Sequence, residues 1–153
     1  MVNGKTLRVP LEGFHVRGVE GPLIRAVVTL QVRTARYGFR DIEFLVDTGA
    51  CLTTLPVELA QELGIPFPRR KVDVPVVTGA GRIRQVRHAG RIRVVVPTWG
   101  SEEFDWPCHY VEHEGRRLTP VLGLTGVLDD LRITLDGTYS LEARYGMLTL
   151  QRR

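Results

Sequence analysis

Apolar and polar residues alternate along much of this chain with the period of a β-strand. From Leu23 to Arg33 (LIRAVVTLQVR), Val28, Leu30 and Val32 take turns with Thr29, Gln31 and Arg33, which predicts a strand with one buried face. Ala35-Arg36-Tyr37-Gly38 reads as a turn, and Phe39 to Val46 returns with Ile42, Phe44 and Val46 on one side, completing a hairpin. Further strands are predicted over Val72–Val77, Arg82–Val86, Arg91–Val96, Trp106–Val111, Arg132–Leu135 and Met147–Leu150. One segment breaks the alternation. In PVELAQELG, Pro56 suits a first helical position, Leu59 and Leu63 fall on one helix face, and Gly64 supplies a stop. A second short helix is expected around Gly126 to Leu131, and Asp136-Gly137 marks a later turn. The fold class is therefore mainly β with one or two short helices.

Composition narrows this picture only a little. At 153 residues, 43% hydrophobic and 25% charged, the chain is expected to form one domain with a real core. No apolar run has the length of a membrane span, and MVNGKTLRVPLEG has no continuous apolar stretch of the kind a secretory signal needs. Cys51 and Cys108 make no disulfide framework, so a cytoplasmic protein is the expectation. The net charge of +4 raises the question of nucleic acid, but the arginines are scattered. The densest stretch, RIRQVRHAGRIRVVV, alternates arginine with isoleucine or valine in parts, as a solvated strand face does. A nucleic-acid partner and a membrane are both excluded from the expectation.

The chemistry concentrates at FLVDTGACLTTLP, Phe44 to Pro56. An apolar strand delivers Asp47 into a turn of small residues, where Thr48 can hydrogen-bond back, Gly49 permits unusual backbone angles and Ala50 leaves room beside the carboxylate. Such an aspartate is expected in a partly dry site, held by backbone donors. Taken alone, three residues make a weak motif, and an arbitrary Asp-Thr-Gly reads first as an Asx turn that caps a strand; the surrounding residues change that.

The surrounding residues resemble the retropepsin-like aspartic proteases. The shared pattern is the apolar strand, Asp47-Thr48-Gly49-Ala50, then Thr53, and a Leu55-Pro56 leading into a short helix that ends in Leu63-Gly64. A second matching element is two apolar residues and a glycine, met by Val121-Leu122-Gly123, followed by Val127-Leu128 and the strand Ile133-Thr134-Leu135-Asp136. Between them, Val76 to Arg82 is the candidate flap hairpin, with Val77, Thr78, Gly79, Ala80 and Gly81 at its tip. The resemblance covers residues 23–150 and leaves residues 1–22 unplaced, as an extra strand, a dimer arm or a cover over the cleft.

The resemblance implies a small closed β barrel and a water-mediated peptide hydrolysis. Two aspartates share one proton and hold a water; the ionised one acts as base and the protonated one polarises the peptide carbonyl. It implies Asp47 as the catalytic carboxylate, Thr48, Gly49, Ala50, Leu122 and Gly123 as loop support, and the flap closing over an extended peptide. The chain carries one Asp-Thr-Gly and no second, so the resemblance implies a homodimer. No metal or organic cofactor is implied. Two positions depart from the pattern: Cys51 stands where retroviral enzymes have an acidic residue, and Thr125 where bacterial relatives often carry aspartate. The alternative class is a noncatalytic module that uses the same fold to bind peptides or support assembly.

The remaining reactive side chains read more plainly. Cys51 lacks a cysteine-protease motif and is expected to be an inert packed thiol. His109 and His113 are not expected to form a metal site, Trp99 and Trp106 are expected in packing, and Asp129-Asp130 as a helix-start or exposed pair.

Overall fold

In a computed structural model, which describes residues 4–79, 81–112 and 118–153, the chain is mainly β. Its elements run β1 (Thr6–Pro10), β2 (Glu12–Phe14), β3 (Leu23–Arg25), β4 (Val27–Arg33), β5 (Phe39–Val46), β6 (Thr53–Pro56), α1 (Val57–Leu63), β7 (Lys71–Thr78), β8 (Gly81–Val95), β9 (Glu103–Val111), β10 (Val121–Leu122), α2 (Val127–Asp130), β11 (Leu131–Asp136) and β12 (Met147–Arg152).

Seven strands pair in the order β4-β5-β10-β6-β9-β8-β7. β4 also pairs with β8, through Gln31 opposite Val95 and Val32 opposite Val94, so the pairings from β4 to β8 close into a ring. A separate three-stranded sheet has β12 between β1 and β11, and β2 pairs with β3 in a small ribbon. The alternation read from the sequence is what fills the ring. Val28, Leu30, Val32, Ile42, Phe44, Leu55, Ile92, Val94, Trp106, Cys108 and Tyr110 all point inward and are buried. Leu131, Leu148 and Leu150 carry the same core under the three-stranded sheet.

Several boundaries differ from the sequence expectation, each for a physical reason. Leu23–Arg33 is two strands, because the chain leaves the β2 ribbon at Ala26 before joining β5. β8 is continuous where two strands were expected. Gly90, between the two expected strands, meets a packing requirement: a Cβ there would lie 2.7 Å from Pro68 Cδ and 3.3 Å from the Tyr110 ring. Pro56 ends β6 in extended conformation and caps α1 rather than opening it, and Gly64 closes the helix in the left-handed region at φ 70°. The amino-terminal segment supplies β1, which pairs with β12 from Thr6–Gln151 to Pro10–Met147. Of the roles open to that segment, an extra strand is the one seen for residues 6–10.

Candidate active site

The Asp47 loop sits where β5 ends. Ile42, Phe44 and Val46 anchor the strand in the core, and the next residue turns out of it. The Ala50 N–H donates to the Asp47 carbonyl at 3.1 Å and closes the turn, while the Gly49 N–H donates to Asp47 Oδ1 at 2.8 Å and fixes the carboxylate. Asp47, Thr48 and Gly49 are exposed and Ala50 is half-buried. This corrects the expectation of a partly dry site: the loop turns out of the core where β5 ends, and the carboxylate meets water.

Val121 and Leu122 lie between β5 and β6, parallel to the first (Leu122 opposite Val46) and antiparallel to the second (Val121 opposite Thr54). Four hydrogen bonds lace the two loops together. The Asp47 N–H donates to the Leu122 carbonyl at 3.2 Å, Leu124 N–H to Ala50 at 3.1 Å, Thr125 N–H to Cys51 at 2.8 Å, and Gly123 N–H to Thr53 Oγ1 at 3.1 Å. Gly123 has no alternative residue at this approach, since a Cβ would fall 2.3 Å from the Leu52 carbonyl carbon and 2.7 Å from Thr53 N. Asp47, Gly49, Ala50, Leu122 and Gly123 are thus gathered into one place. Thr125 takes part through its backbone, which any residue provides.

The candidate flap is a real hairpin. β7 and β8 pair antiparallel from Lys71–His88 to Thr78–Gly81; Ala80 lies outside the described residues. Val72, Val74 and Val76 are half-buried on one face, while Val77 is 76% exposed on the other. In pairing order the hairpin is separated from β5 by β9, β6 and β10 on one side and by β4 on the other.

Four features escaped the sequence. Thr53 is fully buried and its hydroxyl receives the Gly123 N–H, a role hinted at only by its place in the motif. Asp130 is no simple exposed pair with Asp129: its Oδ2 accepts the Trp106 Nε1–H at 2.9 Å, and Arg152 donates to its carbonyl at 3.1 Å. His88 is buried at the base of the hairpin, with Nδ1 2.8 Å from the Pro68 carbonyl and Nε2 2.9 Å from Glu112 Oε1. His88 and then Lys71 hold the Glu112 carboxyl below its ordinary range. Half-buried Arg87 is the fourth. The thiols also separate. Cys108 is buried in the core and its pKa is pushed up to about 12 by that burial, whereas Cys51 is exposed beside Asp47, not packed as expected. Trp99 and Trp106 are both core residues. His113 lies outside the described residues, and among those described no group of three or more His, Cys, Asp or Glu side chains could hold a metal. No helix among them is long and apolar enough to cross a membrane.

A ring of strands threaded by a central two-residue strand, with Asp-Thr-Gly at the seam, defines the class of retropepsin-like aspartic proteases. The family described as "gag-polyprotein putative aspartyl protease" matches residues 34–125, well over half of the chain, and the chain belongs to this family. Its fold is similar to that of a retropepsin-like aspartic protease from Rickettsia conorii, at a TM-score of 0.53 and 18% identity over 97% of this chain and 94% of that one. No curated protein matches the chain significantly.

Proposed function

We propose that two copies of the chain form a twofold aspartic endopeptidase in which the paired Asp47 carboxylates activate a water against a peptide carbonyl. The observation that carries this reading is the state of Asp47: oriented by the Gly49 N–H, fixed at the seam of two laced loops, and open to solvent on its free side. One such loop offers half of the acid–base pair, and a copy related by a twofold axis supplies the other half. Two carboxylates brought within hydrogen-bonding distance of each other cannot both ionise, so they share a proton; one then serves as base and the other as acid. Thr48 braces the paired loops, Gly49 offers backbone contacts to the substrate, and an extended peptide lies between the loops and the β7–β8 hairpin, bound through main-chain hydrogen bonds. The hairpin tip, Val77 to Gly81, closes over it and excludes water.

The test is Asp47→Asn, which keeps the size of the side chain but cannot serve as the shared acid. Cleavage of an unbiased peptide library should disappear while the unfolding transition stays in place. Wild-type activity should be highest on the acid side of neutrality and fall on dilution as dimers part. Excess Asp47→Asn subunits should poison it. Full activity in a species that sediments as a monomer would defeat the dimeric reading.

A further inference from the structure

Cross-strand partners share a sheet face. Leu45 lies opposite Val121, Val121 opposite Thr54, Thr54 opposite His109, and His109 opposite Ala89. This row begins two residues before Asp47 and runs across β5, β10, β6, β9 and β8. Its neighbours along each strand, Phe44, Leu122, Leu55, Cys108 and His88, point into the core and are buried, so the row lies on the opposite face. Arg87, two residues before Ala89, projects on that same face. Its guanidinium turns along the sheet toward Gln85 and His109: Nε donates to Gln85 Oε1 at 2.9 Å, and Nη1 lies 3.3 Å from His109 Nδ1.

Arg87 stands apart among the described arginines that make side-chain hydrogen bonds. Arg25, Arg33, Arg84, Arg91 and Arg152, the others with side-chain hydrogen bonds among the described residues, each find a carboxylate. Arg87 is half-buried, its bonded partners are a neutral amide and an imidazole, and its Nη2 group has no partner among the described residues. Burial, and then the neighbouring Arg87 charge, push the His109 pKa down, which keeps that ring neutral. A half-buried charge without a counter-ion is costly, and an incoming carboxylate relieves the cost.

We propose that Arg87, with Gln85, His109 and Thr54, forms a substrate subsite that selects an acidic side chain near the scissile bond. The inference rests on the protease reading above, because it takes this sheet face as the wall of the peptide cleft. Adjacent strands lie about 4.8 Å apart, so His109 is about 14 Å across the sheet from Leu45, the span of about four residues of extended peptide. The acidic residue therefore falls within about four positions of the cleaved bond.

The experiment compares peptides that differ only by Glu or Gln at each position flanking a cleavage site. Wild type should prefer Glu at one position by about tenfold in kcat/KM, the scale of one charge-assisted contact. Arg87→Gln should erase that preference and Arg87→Glu should turn it toward Lys; if the reversed variant does not fold, Arg87→Gln carries the test. An equal Glu-to-Gln ratio in wild type and Arg87→Gln overturns the subsite and leaves the protease standing. If nothing is cleaved, the protease reading fails, and fluorescence polarisation of the same peptides decides the subsite. A Glu preference in binding that depends on Arg87 upholds it, and no such preference overturns it.

Discussion

The seam of β5, β10 and β6 and the hairpin of β7 and β8 both carry residues assigned to the site, and they are built in opposite ways. In the seam, strands flank the two-residue β10 on both sides, four hydrogen bonds cross between loops, and Gly123 touches the opposing backbone with no space to spare. In the hairpin, among the described residues, β7 pairs only with β8, and β9 pairs with β8 from Arg87 onward, opposite Val111. Beyond that pairing, the Glu112 N–H donates to the Val86 carbonyl at 3.1 Å, and among the described residues 81–85 have a strand on one side alone. A Cβ at Gly79 would touch nothing within 4 Å. The function proposed above would set its paired carboxylate on the first kind of structure and its peptide-admitting segment on the second.

Single changes should separate the two regions. The largest effect is expected from Gly123→Ala, because its methyl would collide with backbone rather than with a yielding side chain; thermal or urea unfolding should show a loss of about 3 kcal/mol or more. A near-neutral result would mean that the seam gives way more easily than its contacts imply. Thr53→Val should come next. It keeps the shape but leaves the buried Gly123 N–H without an acceptor, costing about 1–3 kcal/mol.

A third prediction uses pH on the same seam, since Cys108 stands opposite Thr53. Burial raises the Cys108 thiol from its ordinary 9.0 to about 12, and burial likewise raises the Tyr110 hydroxyl, which donates to the Arg91 carbonyl at 2.7 Å. Both groups are held neutral in the fold, so the unfolded chain loses these protons first. The stabilisation is complete below the ordinary values and drains away as pH climbs toward the raised ones. Tm should decline above pH 9.0, the thiol's ordinary value, and Cys108→Ala should flatten part of that slope. A thiol reagent at neutral pH should label Cys51 alone until the protein is unfolded. The smallest stability effect belongs to the hairpin: Gly79→Ala should move the unfolding free energy by no more than about 0.5 kcal/mol. Any change in turnover then reports the tip itself.

The same contrast explains what could be read from the residues alone. The β4–β5 hairpin was legible because each strand has one wet and one dry face, and α1 because Leu59 and Leu63 lean on the core before Gly64 stops the helix. The two-residue β10 has no periodicity to detect, and only the motif around Gly123 pointed to it. β6 was hidden because a threonine and a proline, Thr53 and Pro56, occupy buried positions there. β1 was hidden because only Leu7 and Val9 mark its inner face, and both are partly buried. The exposure of Asp47 was not legible, since the strand leading to it is buried and only the three-dimensional arrangement shows that the loop turns outward. Arg87 was invisible for the converse reason: the role proposed for it rests on its having no carboxylate partner among the described residues, which no sequence pattern displays.

The chain's two tryptophans have a practical consequence. Trp99 is 3% exposed and packs edge-on to Phe104, while Trp106 is 0% exposed, stacks on the same ring and is tied to Asp130. Both indoles are shielded from solvent, and Trp106 faces Ile92, far along β8 from Gly81 at the hairpin tip, so their fluorescence should emit at short wavelength and shift red only when the core opens. Intrinsic emission is then a clean gauge of global unfolding that stays silent during peptide binding. A third indole placed at the exposed Val77 would add a separate optical signal for the hairpin, readable against that quiet background.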